Sequence, residues 1–209
     1  MEVLTKLLHK YPALDICKAD IEKAFLLMKD TYQKGGKLLV CGNGGSAADS
    51  EHIVGELMKG FMLDRKISES ARAKIKEVSK TSGDYISDNL QEALPTISLV
   101  SHSALISAFS NDMAPDMIFA QQVFGYGKPE DSFLGLSTSG NSKNVIYAAE
   151  TAKAIGMHTI AFTGESGGIL KHICDCTVLA PSQSTPIIQE YHLPIYHTLC
   201  TMLEWEFFA

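Results

Sequence analysis

The chain has 209 residues, 45% hydrophobic and 20% charged, with a formal net charge of -6. This is the composition of an ordinary globular protein with one substantial core. The acidic balance excludes a general nucleic-acid binder, whose affinity needs a Lys/Arg-rich face. No apolar run approaches the about 20 residues of a membrane span, and Met1-Glu2-Val3 opens no signal peptide. The expectation is one cytoplasmic domain over 1–209 with no membrane partner. The five cysteines, Cys17, Cys41, Cys174, Cys176 and Cys200, are odd in number and lack paired zinc-motif spacing, which reads as reduced structural thiols. Cys174-Asp175-Cys176 has the alternative reading of a metal or redox pair, but it leads into the strand-like Thr177-Val178-Leu179.

Residues 1–36 read as an N-terminal helical segment, in which Ile16 to Tyr32 carries Ile21, Ala24, Phe25 and Met28 on one face. A short apolar run, Lys37 to Cys41, then breaks into Gly42-Asn43-Gly44-Gly45-Ser46 and a new helical pattern. A strand that turns through such residues into a helix exposes backbone N–H groups to an anion. On the helix that follows, His52 and Glu56 stand four apart and share a face, a spacing that suits one metal ion or a proton-transfer pair. Exposed His/Glu pairs without such a role are common.

Asp64 to Leu94 is a polar interval with helical Lys/Glu character over Glu69 to Lys80 and a breaker at Ser82-Gly83-Asp84. It reads as a helical insertion or lid over 64–94, or as a solvated excursion. Further apolar runs at Thr96 to Val100, Phe133 to Leu136, Thr159 to Phe162 and Thr177 to Leu179 alternate with helical intervals, which implies a parallel sheet covered on both faces. Ligands of such sheets bind beyond the carboxyl ends of the strands. The third strand ends there in Ser137-Thr138-Ser139-Gly140-Asn141-Ser142, a second anion-binding candidate whose plain alternative is a capped turn. Neither loop is a Walker A sequence or a Gly-x-Gly-x-x-Gly motif, which disfavours a nucleotide. In the terminal helix, Gln189 to Phe208, Gln189, Glu190, His192 and His197 cluster; His197 reads either as acid, base or metal ligand, or as a histidine bonded within a helix interface. Apolar residues surround much of this helix, a pattern that fits an oligomer.

Taken together, Gly42-Asn43-Gly44-Gly45-Ser46, His52 with Glu56, Asn111-Asp112, Ser137-Thr138-Ser139-Gly140-Asn141-Ser142 and Gln189-Glu190 with His197 resemble the phosphoheptose isomerase family of sugar isomerase (SIS) domains. The resemblance implies a flavodoxin-like three-layer α/β/α sandwich and a homotetramer with intersubunit active sites. It implies interconversion of D-sedoheptulose 7-phosphate and D-glycero-D-manno-heptose 7-phosphate, an early step towards bacterial surface heptose, with one zinc per subunit. Carried over by motif, Asn43, Gly44, Gly45, Ser46, Glu56, Asn111, Asp112, Ser137, Thr138, Ser139, Ser142 and Gln189 are expected to contact substrate, and His52, Glu56, Gln189 and His197 to bind metal. Glu56 is the expected base and His197 the acid of an enediol mechanism, although the opposite assignment satisfies the same chemistry.

If both lie in a continuous helix, Gln189 and His197 stand about 12 Å apart along it, so that to share one ion the helix must begin after Gln189, the side chains must span the gap, or a neighbouring subunit must supply one ligand, the favoured reading. The interval 64–94 is longer than the resemblance leads one to expect, which leaves open an isomerase of another phosphosugar. A non-catalytic SIS regulator that binds a phosphosugar or a protein is the remaining alternative; it would need the phosphate loops but not His52, Glu56, Gln189 and His197.

Overall fold

The computed structural model describes residues 2–209. Five strands form one sheet: β1 (Leu38–Gly42), β2 (Thr96–Ser98), β3 (Ser132–Leu136), β4 (His158–Gly164) and β5 (Cys176–Ala180). Every neighbouring pair is parallel, in the order β2-β1-β3-β4-β5. All five expected runs are strands, and only their ends differ. The expected Thr96 to Val100 stops at Ser98, after which the Leu99 N–H still donates to the Val40 carbonyl at 2.8 Å.

The helices are α1 (Glu2–Lys10), α2 (Lys18–Gln33), α3 (Gly45–Met58), α4 (Glu69–Val78), α5 (Gly83–Asn89), α6 (Ser103–Asp112), α7 (Ile118–Tyr126), α8 (Lys143–Ala154), α9 (Leu170–Ile173) and α10 (Thr185–Phe208). β1 shows how the sheet holds two layers. Its alternating residues divide between two cores, Leu38 and Val40 packing towards α1, α2, α3 and α10, Leu39 and Cys41 towards α7 and α8. Both faces are therefore apolar and covered, the condition for an all-parallel sheet. The result is the expected three-layer α/β/α sandwich in the flavodoxin-like strand order. That order reverses between β1 and β3, where the carboxyl ends of the two strands open a crevice.

The helix expected from Ile16 starts at Lys18, because Pro12–Cys17 forms a 3-10 turn with Pro12 at its first position. Its face is as expected, with Ile21, Ala24 and Met28 buried. The interval 64–94 is an excursion of two helices. The breaker at Ser82 to Asp84 separates them: α4 ends at Val78, and Gly83 begins α5. α4 buries no residue. Lys76 to Asp84 and Arg72 to Asp88 ion pairs hold the two together, and the base is pinned by a Lys66–Gln91 bridge and by the Glu92 N–H on the Arg65 carbonyl at 2.7 Å. The five cysteines are free. Burial pushes the Cys174 and Cys176 thiols up to about 12 each, as structural thiols require. Among the described residues no helix is long and apolar enough to cross a membrane.

One ion pair has no exposed surface: Arg65 and Glu204, whose side chains are both 0% accessible, meet at 2.7 Å. Glu204, on α10, also accepts the backbone N–H groups of Phe61, Met62 and Leu63 at 2.7–3.2 Å. Arg65 donates to the carbonyls of Leu57 and Glu56, the last turn of α3. Burying two charges is costly, and it is tolerated where the charged groups find hydrogen-bond partners, as both Glu204 oxygens and all three Arg65 nitrogens do. Removing one partner should therefore cost about 3–5 kcal/mol; urea unfolding of Glu204→Leu is expected to show it, and the double variant Arg65→Met/Glu204→Leu to recover a substantial part. Burial alone would raise the Glu204 carboxyl, but the Phe61 and Met62 N–H groups and Arg65 outweigh it and hold the pKa below 4.5. This stabilisation is complete above the ordinary carboxylate range and is lost as pH falls through the depressed value.

His192 on α10 contributes with a different pH range. It is fully buried, its Nε2–H donates to the Thr163 carbonyl at 3.2 Å, and its Nδ1 has no partner. Burial lowers its pKa from 6.5 to about 4. The unfolded chain thus takes up a proton first as pH falls below 6.5, and stability declines from there towards pH 4 by up to about 3 kcal/mol. Stability curves for His192→Gln, which keeps a donor for Thr163, should lose this slope; an unchanged slope would show that His192 does not generate it.

Candidate active site

Two loops meet where the strand order reverses. Gly44 has φ 58, the left-handed conformation that lets β1 turn sharply into α3. Gly45 lies against Gln189 of α10; a Cβ there would sit 2.6 Å from the Gln189 Nε2. From β3, Ser137 and Ser142 bring their hydroxyls to 3.0 Å. Asn43 and Asn144 exchange two amide hydrogen bonds of 3.0 and 2.9 Å, which tie the first loop to α8. A cavity of about 370 Å³ results, lined by residues 43–46, Leu136, Ser137, Thr138, Ser142, Thr185 and Gln189.

The N-termini of α3, α8 and α10 all border this cavity, and none has a side-chain cap. A helix start leaves its first N–H groups without intrahelical partners and carries the positive end of the helix dipole. Three such ends around small hydroxyl side chains form a cradle for a phosphate-sized anion. Ser139 is exposed and lies beside the cradle rather than in its lining, its hydroxyl accepting the Asn141 N–H at 3.1 Å. Asn111 and Asp112 lie outside it too, at the exposed end of α6, where the Asn111 amide donates to Asp112 at 2.8 Å.

A second cluster lies along α3 and α10. The His52 Nε2 is 3.1 Å from the Glu56 carboxylate and 3.5 Å from the His197 Nε2. His52, Glu56 and His197 therefore belong to one constellation within one chain. Lys59 donates to the other Glu56 oxygen at 3.3 Å. Beneath them, Tyr196, 1% exposed, places its hydroxyl 2.9 Å from the His52 Nδ1 and donates to Asp49 at 3.2 Å. Burial first, and His52 second, lower the His197 pKa below its usual 6.5, against an opposing pull from Glu56. Burial raises the Asp49 carboxyl, while Tyr196 and His52 draw it back.

Gln189 does not join this trio. α10 is continuous from Thr185 to Phe208, so Gln189 and His197 remain two turns apart, Gln189 at the cradle and His197 at the trio. Two ligands of a tetrahedral zinc stand about 3.3 Å apart, close to the spacings of the His52 Nε2 from Glu56 and from His197. Nitrogen and carboxylate donors also suit zinc. As the side chains stand, no group of three or more His, Cys, Asp and Glu among the described residues is placed to hold a metal ion.

Asn144, Lys59, Tyr196 and Asp49 were not singled out by sequence. Asp49 did carry a signal, since it precedes His52 by three residues and shares its helix face. Tyr196 carried none, because in a buried apolar helix an aromatic residue reads as core.

The sequence model of the SIS domain matches residues 5–93 and 85–164. A phosphoheptose isomerase of Clostridium acetobutylicum is 38% identical over 189 residues, 90% of this chain and 83% of that protein. A probable phosphoheptose isomerase of Thermoplasma acidophilum is 43% identical over 180 residues, 86% of this chain and 85% of its own. Among solved structures, the phosphoheptose isomerase from Francisella tularensis superposes with a TM-score of 0.77 at 31% identity, over 94% of this chain and 91% of that one. The enzyme from Neisseria gonorrhoeae gives 0.73 at 30% identity, over 95% and 94%. With its fold, its strand-end cradle and these likenesses, the chain belongs to the phosphoheptose isomerase family of SIS-domain proteins.

Proposed function

We propose that this sugar-phosphate isomerase interconverts D-sedoheptulose 7-phosphate and D-glycero-D-manno-heptose 7-phosphate through an enediol. The observation that carries the reading is the pairing of two chemically different sites along α10: an anion cradle at Gln189, and an acid/base trio two turns further on at His197. A phosphosugar has the matching polarity, with a dianion at one end and a reactive carbonyl at the other. Holding the phosphate gives binding energy that positions the distant carbons.

The reaction moves one proton between adjacent carbons. The Glu56 carboxylate takes the proton from C1 of the ketose, the electron pair forms the C1–C2 double bond, and the C2 carbonyl oxygen takes a proton from His197. In the second half the O1 proton returns to His197, the C1 carbonyl forms, and Glu56 delivers its proton to C2. His197 suits this shuttle because burial and His52 lower its pKa, which eases release of its proton to the C2 oxygen, and the O1 proton restores it in the second half. Lys59 donates to the second Glu56 oxygen at 3.3 Å and so helps to orient the carboxylate.

His52, Glu56 and His197 would hold a zinc ion, one per subunit, with Gln189 of a neighbouring subunit as the fourth ligand; bound there, zinc would polarise the carbonyl and stabilise the enediolate. A homotetramer with intersubunit sites would bring Gln189, Asn111 and Asp112 to a trio that they do not reach within one chain. An apolar groove between α1, α2 and α10, which includes Leu26 and Trp205, supports assembly. The free cysteines, four of the five buried, suit a cytoplasmic enzyme.

Incubation with sedoheptulose 7-phosphate, with added zinc or with chelator, should yield the aldose, with the chelator lowering the rate. Absence of turnover under every metal condition would remove the assignment. Glu56→Gln and His197→Ala are each expected to lower kcat by about 10²–10⁴. Mixed oligomers of Gln189→Ala and His197→Ala subunits should regain part of the activity that both homo-oligomers lack; no recovery in verified hybrids would argue for sites built within one chain.

A further inference from the structure

We infer that Tyr196 and Asp49 are positioning residues that fix His52 in one tautomer, with its Nε2 lone pair free and aimed at Glu56 and His197. This rests on the reading of the trio as the reacting end, and on hydrogen-bond direction. A tyrosine hydroxyl has one proton, and the Tyr196 hydroxyl gives it to the Asp49 carboxylate at 3.2 Å, an acceptor without a proton to offer. The same hydroxyl oxygen stands 2.9 Å from the His52 Nδ1. Having spent its proton on Asp49, it can only accept, so the His52 Nδ1 carries the hydrogen. A neutral imidazole then keeps its second nitrogen bare.

That bare nitrogen is the one at the centre of the trio, 3.1 Å from the Glu56 carboxylate and 3.5 Å from the His197 Nε2. Without Tyr196 the favourable arrangement is the reverse. His52 would then place its hydrogen on Nε2 and donate to Glu56, occupying the base and removing a ligand lone pair together. Tyr196 is well suited to prevent this because it is 1% exposed and adjoins His197 on α10, while Asp49 and His52 share one face of α3. The ring of His52 is also held edge-on between its neighbours, its centroid 5.4 Å from that of Tyr196 and 5.0 Å from that of His197. Ligand histidines are commonly oriented in this way by a partner on the other ring nitrogen.

The test reads the tautomer directly and needs neither substrate nor metal. Long-range ¹H–¹⁵N spectra of the labelled metal-free protein at pH 8, with the His52 signals assigned by their loss in His52→Gln, should show hydrogen on Nδ1. In Tyr196→Phe and in Asp49→Ala the hydrogen should move to Nε2, in the second case because the freed hydroxyl turns its proton towards His52. Asp49→Asn keeps an acceptor oxygen and should retain the wild-type tautomer, a rescue that a merely structural role for Asp49 does not require. Zinc affinity, measured by competition with a chromophoric chelator, should weaken about tenfold in Tyr196→Phe. An Nε2-protonated His52 in the wild type, or an unchanged tautomer in Tyr196→Phe and Asp49→Ala, overturns the inference, as does unaltered zinc affinity in Tyr196→Phe. A wild-type protein that binds no zinc, yet shows these tautomers, would count against the zinc reading and support the role of Tyr196 and Asp49.

Discussion

The contact between Arg65 and Glu204 is the constraint on which the site geometry depends. α3 begins at the cradle and ends with Glu56 and Leu57, whose carbonyls Arg65 caps. α10 passes the cradle at Gln189 and the trio at His197 before it reaches Glu204. The pair therefore clamps the far ends of the two helices that carry the proposed chemistry, while their near ends meet at Gly45 and Gln189. An apolar pair of similar volume would stabilise the core comparably. It would not cap the last turn of α3, nor hold the backbone from Phe61 to Leu63 against α10.

The cradle depends on a different principle, the reversal of strand order. Because β1 lies between β2 and β3, the connections from β1 and β3 leave on opposite faces and part above the sheet. Their loops fill the gap with small residues and uncapped helix starts. The pairing of Asn43 with Asn144 ties the first loop to the start of α8, the helix that follows the second loop. Pre-organisation of this kind reduces the ordering cost of binding.

Much of this was legible in the sequence because it is local. Strand β1 is a continuous apolar run bounded by a glycine-rich turn, and His52 with Glu56 is a helical spacing. What escaped is what long separation joins. Arg65 and Glu204 lie 139 residues apart, and neither stands in a motif. Tyr196 reads as another apolar position of α10 until its hydroxyl is seen against α3. The pair of helices at 69–89 was legible as helical from its Lys/Glu pattern, but not its packing, because solvated helices carry no strong face to predict from. Asn111 and Asp112 matched the family motif by sequence, but within one chain they lie apart from the cradle at the exposed end of α6, a placement that no local pattern reveals.

The central claim is a division of labour along α10, with binding at the cradle and proton transfer at the trio. The most direct measurement follows both on the same proteins: affinity for sedoheptulose 7-phosphate by calorimetry, and deuterium uptake at C1 and C2 from D₂O by NMR. The account predicts that Glu56→Gln binds the sugar within a few-fold of wild type and exchanges no proton, whereas Ser137→Ala/Ser142→Ala loses affinity and retains exchange at saturating sugar. Full affinity in the double serine variant, or proton exchange by Glu56→Gln, would contradict it.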